Sequence, residues 1–143
     1  MRCGVDPASG TTGIAFVDDN DNVVETAVFT ANKKLPIASQ MMLFHKMFTV
    51  LCKKHKPRIV VVEKVSVSWN LDTVRKIAYY EAIAMLVAEK HKATVLQINV
   101  GSARKKALGK NMPKEAAAEV VREKYGQLLS LDETDAIVCA LAG

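Results

Sequence analysis

Apolar and polar positions follow two different periods along this chain, and the changes of period predict its elements. Three short candidate strands come first: residues 1–5, then 14–17 after Gly10-Thr-Thr-Gly13, then 23–30 after Asp18-Asp-Asn-Asp-Asn22. Dense turn signals between such runs predict three strands joined as an antiparallel meander. Pro7 closes the first strand, because proline has no N–H to give to a ladder, and Asp6 is left at its carboxyl end. From Ile37 to about Lys56 the period lengthens. Ile37, Met41, Phe44, Met47, Phe48 and Leu51 recur at helical spacing, and the basic run Lys53-Lys-His-Lys56 suits the helix end before Pro57.

Arg58-Ile-Val-Val-Val-Glu63 shows no alternation at all. A continuous β-branched run of this kind predicts a strand covered on both faces, as in the middle of an α/β sheet. It ends in a glutamate, which at such a place calls for a cation or donor beside it, Lys64 or an arginine included. A helix from Leu71 to about His91 follows, and its second half is apolar almost all round, with Glu81 the sole charge. All its faces then need cover, which makes it a candidate two-fold interface between copies of the chain; the alternative is burial under the chain's own helices. Residues 93–100 read as a further strand. A basic segment over 101–111 leads to Pro113, which opens a helix running through 116–125 to Gly126. The expected fold is α/β: a mixed five-stranded sheet, three antiparallel strands plus two parallel ones, flanked by helices as a single domain over residues 1–143.

The last stretch, Leu131-Asp-Glu-Thr-Asp135 and the apolar residues to Leu141, predicts a buried helix with Asp132 and Asp135 on one face. Taken alone, Asp132 as N-cap and Asp135 as a first-turn acid account for both. They acquire another meaning only if Asp6 and Glu63 converge on the same place.

Composition narrows the classes. With 143 residues, half of them hydrophobic, the chain can bury a core, and nothing in it is long and apolar enough to span a bilayer. No secretory leader pattern is visible. Cys3, Cys52 and Cys139 lie in apolar runs without C-x-x-C spacing and read as reduced core thiols, which fits a cytoplasmic setting. The three histidines lack metal-ligand spacing. A net charge of +5 permits an anionic partner without naming one.

The ordered set of Gly4-Val-Asp6-Pro-Ala-Ser-Gly-Thr-Thr-Gly13, Val60-Val-Val-Glu63, Arg104-Lys-Lys106 with Lys114 beyond, and Asp132-Glu-Thr-Asp135-Ala136 resembles the ribonuclease-H-like nucleases. More narrowly, it resembles the RuvC class of Holliday-junction resolvases, phage-encoded members of which are often compact. The resemblance implies Asp6, Glu63, Asp132 and Asp135 as catalytic carboxylates and metal ligands, with Lys106 and Lys114 near the scissile phosphate. The family's junction-probing aromatic falls where this chain has Ser66; Trp69, three residues further on, is the candidate replacement.

Four carboxylates at one sheet edge would be hard oxygen ligands for two Mg²⁺ or Mn²⁺ ions. Lys64, Arg104, Lys105, Lys106, Lys110 and Lys114 would hold the phosphate backbone, and Trp69 would stack on a base or wedge the crossover. The expected activity is therefore nicking of four-way or other branched DNA by a homodimer. Two alternatives stand beside it. Asp6-x-x-x-Gly10-Thr-Thr-Gly13 also looks like the phosphate loop of actin-like ATPases and sugar kinases, and a non-catalytic junction-binding or RNA-processing factor would use the same fold.

Overall fold

Ten elements follow one another in the computed structural model, which describes residues 1–67 and 70–143; Trp69 lies outside the described residues. They are β1 (Arg2–Asp6), β2 (Thr11–Val17), β3 (Val23–Thr30), α1 (Ile37–His55), β4 (Ile59–Glu63), α2 (Leu71–Lys90), β5 (Thr94–Ile98), α3 (Val100–Leu108), α4 (Lys114–Tyr125) and α5 (Leu131–Leu141). The strands form one sheet in the order β3-β2-β1-β4-β5. The first three are the expected antiparallel meander, while β4 runs parallel to both β1 and β5. The predicted sheet is thus the observed one. One helix was not foreseen: the basic segment opens with α3, whose C-cap Gly109 takes a positive φ of 82°.

Helices cover the sheet on both faces, which explains why β1 and β4 lack polar alternation. On one face α1 and α2 bury Phe44, Phe48 and Tyr80 against Val5, Ile14, Phe16, Val60 and Val62. On the other, α5 brings Ala136, Ile137 and Cys139 against Ala15 and Val61, with Ala103 of α3 and Val121 of α4 behind it. Cys3, Cys52 and Cys139 are buried and unbridged, as expected of core thiols.

The helix α2 is covered on one side only. Tyr80, Glu81, Ile83, Ala84, Val87 and Ala88 are buried, whereas Ala82 and Leu86 face outward. Among the described residues no helix is long and apolar enough to cross a membrane.

Candidate active site

Strand alternation decides which face each strand-end carboxylate takes. Cys3 and Val5 enter the core beneath α1 and α2, so Gly4 and Asp6 point to the opposite face, under α5. Val60 and Val62 do the same in β4, leaving Val61 and Glu63 toward α5. Because Val5 sits beside Val62 in parallel register, Asp6 and Glu63 end neighbouring strands at one edge. Cys139 of α5 reaches Glu63, Sγ to Oε2, at 4.0 Å.

The remaining two acids arrive on α5, and two glycines set how closely. A Cβ at Gly13 would stand 2.0 Å from the Asp132 carbonyl oxygen, and one at Gly4 2.0 Å from that of Ala136. The helix therefore lies backbone to backbone on β1 and β2. Gly13 is also the antiparallel partner of Asp6. The first turn of α5 thus packs directly beside that carboxylate.

Ser130, not Asp132, is the N-cap. Its hydroxyl accepts from the Glu133 N–H while Glu133 Oε2 accepts from the Ser130 N–H, a reciprocal capping box. Asp132 stands in the first turn, free of capping duty, and Thr11 Oγ1 donates to its Oδ2 at 2.8 Å. Thr26 Oγ1 donates to Glu133 Oε1 at 2.7 Å and ties the same turn to β3.

Asp135 is 5% exposed and holds two cations: Lys114 Nζ at 2.7 Å from Oδ2 and Arg104 Nη2 at 3.4 Å from Oδ1. Arg104 also donates to the Met112 carbonyl at 3.2 Å. Its guanidinium is turned inward, so α3 and α4 each send one cation to α5.

The electrostatics of this cluster are those of crowded anions. Burial first, then the charges of Glu63, Asp135 and Asp132, push the Asp6 carboxyl from 3.8 to about 8, against the pull of Lys114. Burial and then Asp135 raise Glu63 from 4.5 to about 7, with Arg104 and Lys114 opposing. Partial burial works to lower the Lys114 ammonium, but its bond to Asp135 and the charges of Asp6 and Asp132 outweigh this and raise it. Burial drives the Cys139 thiol well above its usual value, which leaves it a neutral neighbour of Glu63.

Two carboxyls short of positive charge, Asp6 buried and Glu63 half-buried, match a hard divalent cation, and all four side chains are hard donors. Among the described residues no group of three or more His, Cys, Asp or Glu side chains is gathered as a ready cage. Asp135 is instead held by Arg104 and Lys114, and Asp132 by Thr11. Asp6 and Glu63, with raised pKa values, are the acids least compensated.

The expected basic residues divide into two sets. Lys114 and Arg104 belong to the carboxylate cluster, whereas Lys105, Lys106 and Lys110, around the end of α3, are exposed, as is Lys64 beyond β4. The sequence reading missed Thr11 as a partner of Asp132. It also missed the cap at Ser130, although Ser130-Leu-Asp-Glu133 is a legible capping box.

A mixed sheet in this order, with acids ending β1 and β4 and opening the helix across them, defines a ribonuclease-H-like nuclease. The family model described as crossover junction endodeoxyribonuclease RuvC matches residues 3–142, and the chain belongs to the RuvC family of metal-dependent, crossover junction endodeoxyribonucleases. A curated relative from Magnetococcus marinus, crossover junction endodeoxyribonuclease RuvC, is 24% identical over 136 residues, spanning 93% of this chain and 74% of the relative. The fold is also that of T. thermophilus RuvC in complex with Holliday junction substrate, with a TM-score of 0.84 at 16% identity over 99% of this chain and 92% of the other. The yeast mitochondrial Holliday junction resolvase Ydc2 is similar at a TM-score of 0.57 and 15% identity, over 98% of this chain and 74% of that one.

Proposed function

We propose that residues 1–143 act as one nuclease domain that nicks four-way (Holliday) or other branched DNA junctions as a homodimer in the cytoplasm. Asp6, Glu63, Asp132 and Asp135 would hold two divalent ions, Mg²⁺ or Mn²⁺. When bound, such ions activate the attacking water and stabilise the leaving oxygen of the phosphodiester. The observation that carries the reading is the pairing of Asp6 and Glu63, both raised in pKa, at the edge where α5 delivers Asp132 and Asp135.

The chain's own residues divide the remaining work. Asp6, central to the cluster, would be the principal ligand of the ions, with Glu63 and Asp132 beside it. Asp135 would help hold an ion or orient the water. Lys114, already aimed at the carboxylates, offsets their charge and meets the scissile phosphate. Lys64, Lys105, Lys106 and Lys110 supply exposed positive charge for the backbone, a contact that weakens as salt rises. Arg104 completes the basic set from its inward position beside Asp135. Trp69 would stack on an unpaired base or wedge the crossover.

The homodimer rests on the outer surface of α1 and α2. Met42, Leu43, Val50 and Leu86 are exposed there, and an apolar groove of about 250 Å³ lies between Ala38, Met41, Met42, His45 and Ile83. A two-fold axis through this surface would put two sites on strands of like polarity. The nucleotide-hydrolase alternative loses its support in the same geometry. Gly13, the glycine that ends its phosphate-loop pattern, is covered by the first turn of α5.

The decisive assay incubates the protein with a labelled four-way junction, a plain duplex and an RNA–DNA hybrid, with and without Mg²⁺. Paired nicks confined to the junction and dependent on Mg²⁺ are expected. Preferential cutting of the hybrid, or an intact junction, would overturn the reading.

A further inference from the structure

Glu81 sits on the buried side of α2, 8% exposed, among Tyr80, Ile83 and Ala84. A leucine would fill such a position at less cost, because a buried carboxylate forfeits hydration that neutral donors replace only in part. Among the described residues its oxygens accept from two neutral donors: Oε2 from the Val65 backbone N–H at 3.1 Å, and Oε1 from Gln97 Nε2 of β5. None of the roles assigned above involves it.

What Glu81 holds lies next to the active site. The Lys64 N–H, directly after Glu63, donates to the Ile98 carbonyl at 2.9 Å and extends the parallel ladder by one bond. The following amide, Val65, has no strand left to pair with, since β5 ends at Ile98. Glu81 accepts that bond in place of a strand. Beyond it Ser66 and Val67 are exposed, Val67 at 99%, and Asn70 then caps α2 by accepting from the Thr73 N–H at 3.1 Å. Lys64 and Val65 are thus anchored, and Val67 just beyond them presents an apolar side chain to solvent next to the edge that carries Asp6 and Glu63.

We propose that Glu81 is a positioning residue for substrate selection. By fixing the Val65 amide against α2 and β5, it sets the direction in which Ser66 and Val67 leave the catalytic edge and meet the crossing strands of a branched DNA. This rests on the branched-DNA reading above.

The test compares Glu81→Leu and Glu81→Gln with the parent on a four-way junction and a duplex of matched sequence. The glutamine keeps an acceptor for Val65 and turns its amide to the Gln97 oxygen, so it should behave as the parent. The leucine should lower the junction-over-duplex binding ratio about tenfold, the worth of one buried hydrogen bond. It should raise KM while kcat on saturating junction stays within about twofold, since Glu63 keeps its place in β4. Hydrogen exchange in the absence of DNA should show the Val65 amide opening faster in the leucine variant alone.

Unchanged Val65 exchange would overturn the clamp. Faster exchange with the parent's junction preference would overturn the role in selection, and so would an equal loss on junction and duplex. If the parent itself shows no junction preference, the functional reading fails, while the exchange result still decides whether Glu81 holds the segment.

Discussion

Lys114 Nζ lies 2.7 Å from Asp135 Oδ2, so a residue expected at the phosphate is already seated among the carboxylates. It offsets charge that divalent ions would otherwise offset, and the two therefore compete. Lys114→Met should weaken DNA binding and yet lower the Mg²⁺ concentration that half-saturates the free protein by about tenfold, a modest share of the Coulomb energy of one neighbouring charge. The check is a Mg²⁺ titration followed by thermal shift without DNA. A weaker Mg²⁺ response would place Lys114 outside the ion-binding cluster.

Asp6→Asn should abolish cleavage and leave junction binding intact. It also has a sign in stability that a surface acid would not have. With its pKa raised from 3.8 to about 8, folded Asp6 keeps its proton long after the unfolded chain has released it. The group therefore weakens the metal-free fold progressively as pH climbs from about 4 to about 8. Asparagine removes that penalty, and at pH 8 the variant should gain about 2 kcal/mol, or about 5 °C in Tm, with little change at pH 4. Mg²⁺ should raise the Tm of the parent more than that of the variant. Equal melting of the two metal-free proteins at pH 8 would show that Asp6 is better compensated than its neighbours imply.

Lys106 is exposed in the last turn of α3. Lys106→Ala should weaken binding alike across DNA sequences and reduce the slope of log K against log salt by about one. An unaltered slope would remove Lys106 from the phosphate contacts.

Leu86 is 69% exposed on the outer surface of α2. Leu86→Glu should shift the protein from dimer to monomer in light scattering at micromolar concentration, with little change in Tm, because the side chain is not part of the core. A dimer that survives the glutamate would move the interface elsewhere.

The strands and the carboxylate positions were legible in the chain because each rests on a local signal: turn residues around the meander, a β-branched run ending at Glu63, an apolar helix behind Asp132 and Asp135. What was not legible depends on side chains meeting from distant segments. Arg104 read as one member of a basic run, and nothing local distinguished it from Lys105, which stays in solvent while Arg104 turns to Asp135. The full apolar circumference of α2 suggested cover on every face. The structure covers only the side facing the sheet and α1, because among the described residues no element lies above the opposite side. Gly4 and Gly13 carried a readable hint, since glycine within a strand marks close backbone approach, but only the packed helix shows what approaches.

That approach is itself testable, and it separates the placement of the acids from their chemistry. Gly13 contributes no ligand and no charge; it only leaves room for the first turn of α5. A methyl group there would meet the Asp132 carbonyl at 2.0 Å, a contact that backbone on both sides cannot yield without the helix moving. Gly13→Ala should therefore cost about 2 kcal/mol in stability by overpacking. Because Asp132 is carried on the displaced turn and Asp6 is the strand partner of Gly13, the variant should lose most cleavage even where it remains folded. Junction binding, which we assign to Lys64, Lys105, Lys106 and Lys110, should survive. Cleavage and binding measured below the variant's own Tm decide the point. A folded Gly13→Ala protein that cuts as fast as the parent would mean that the distance from α5 to the strand-end acids does not govern the reaction.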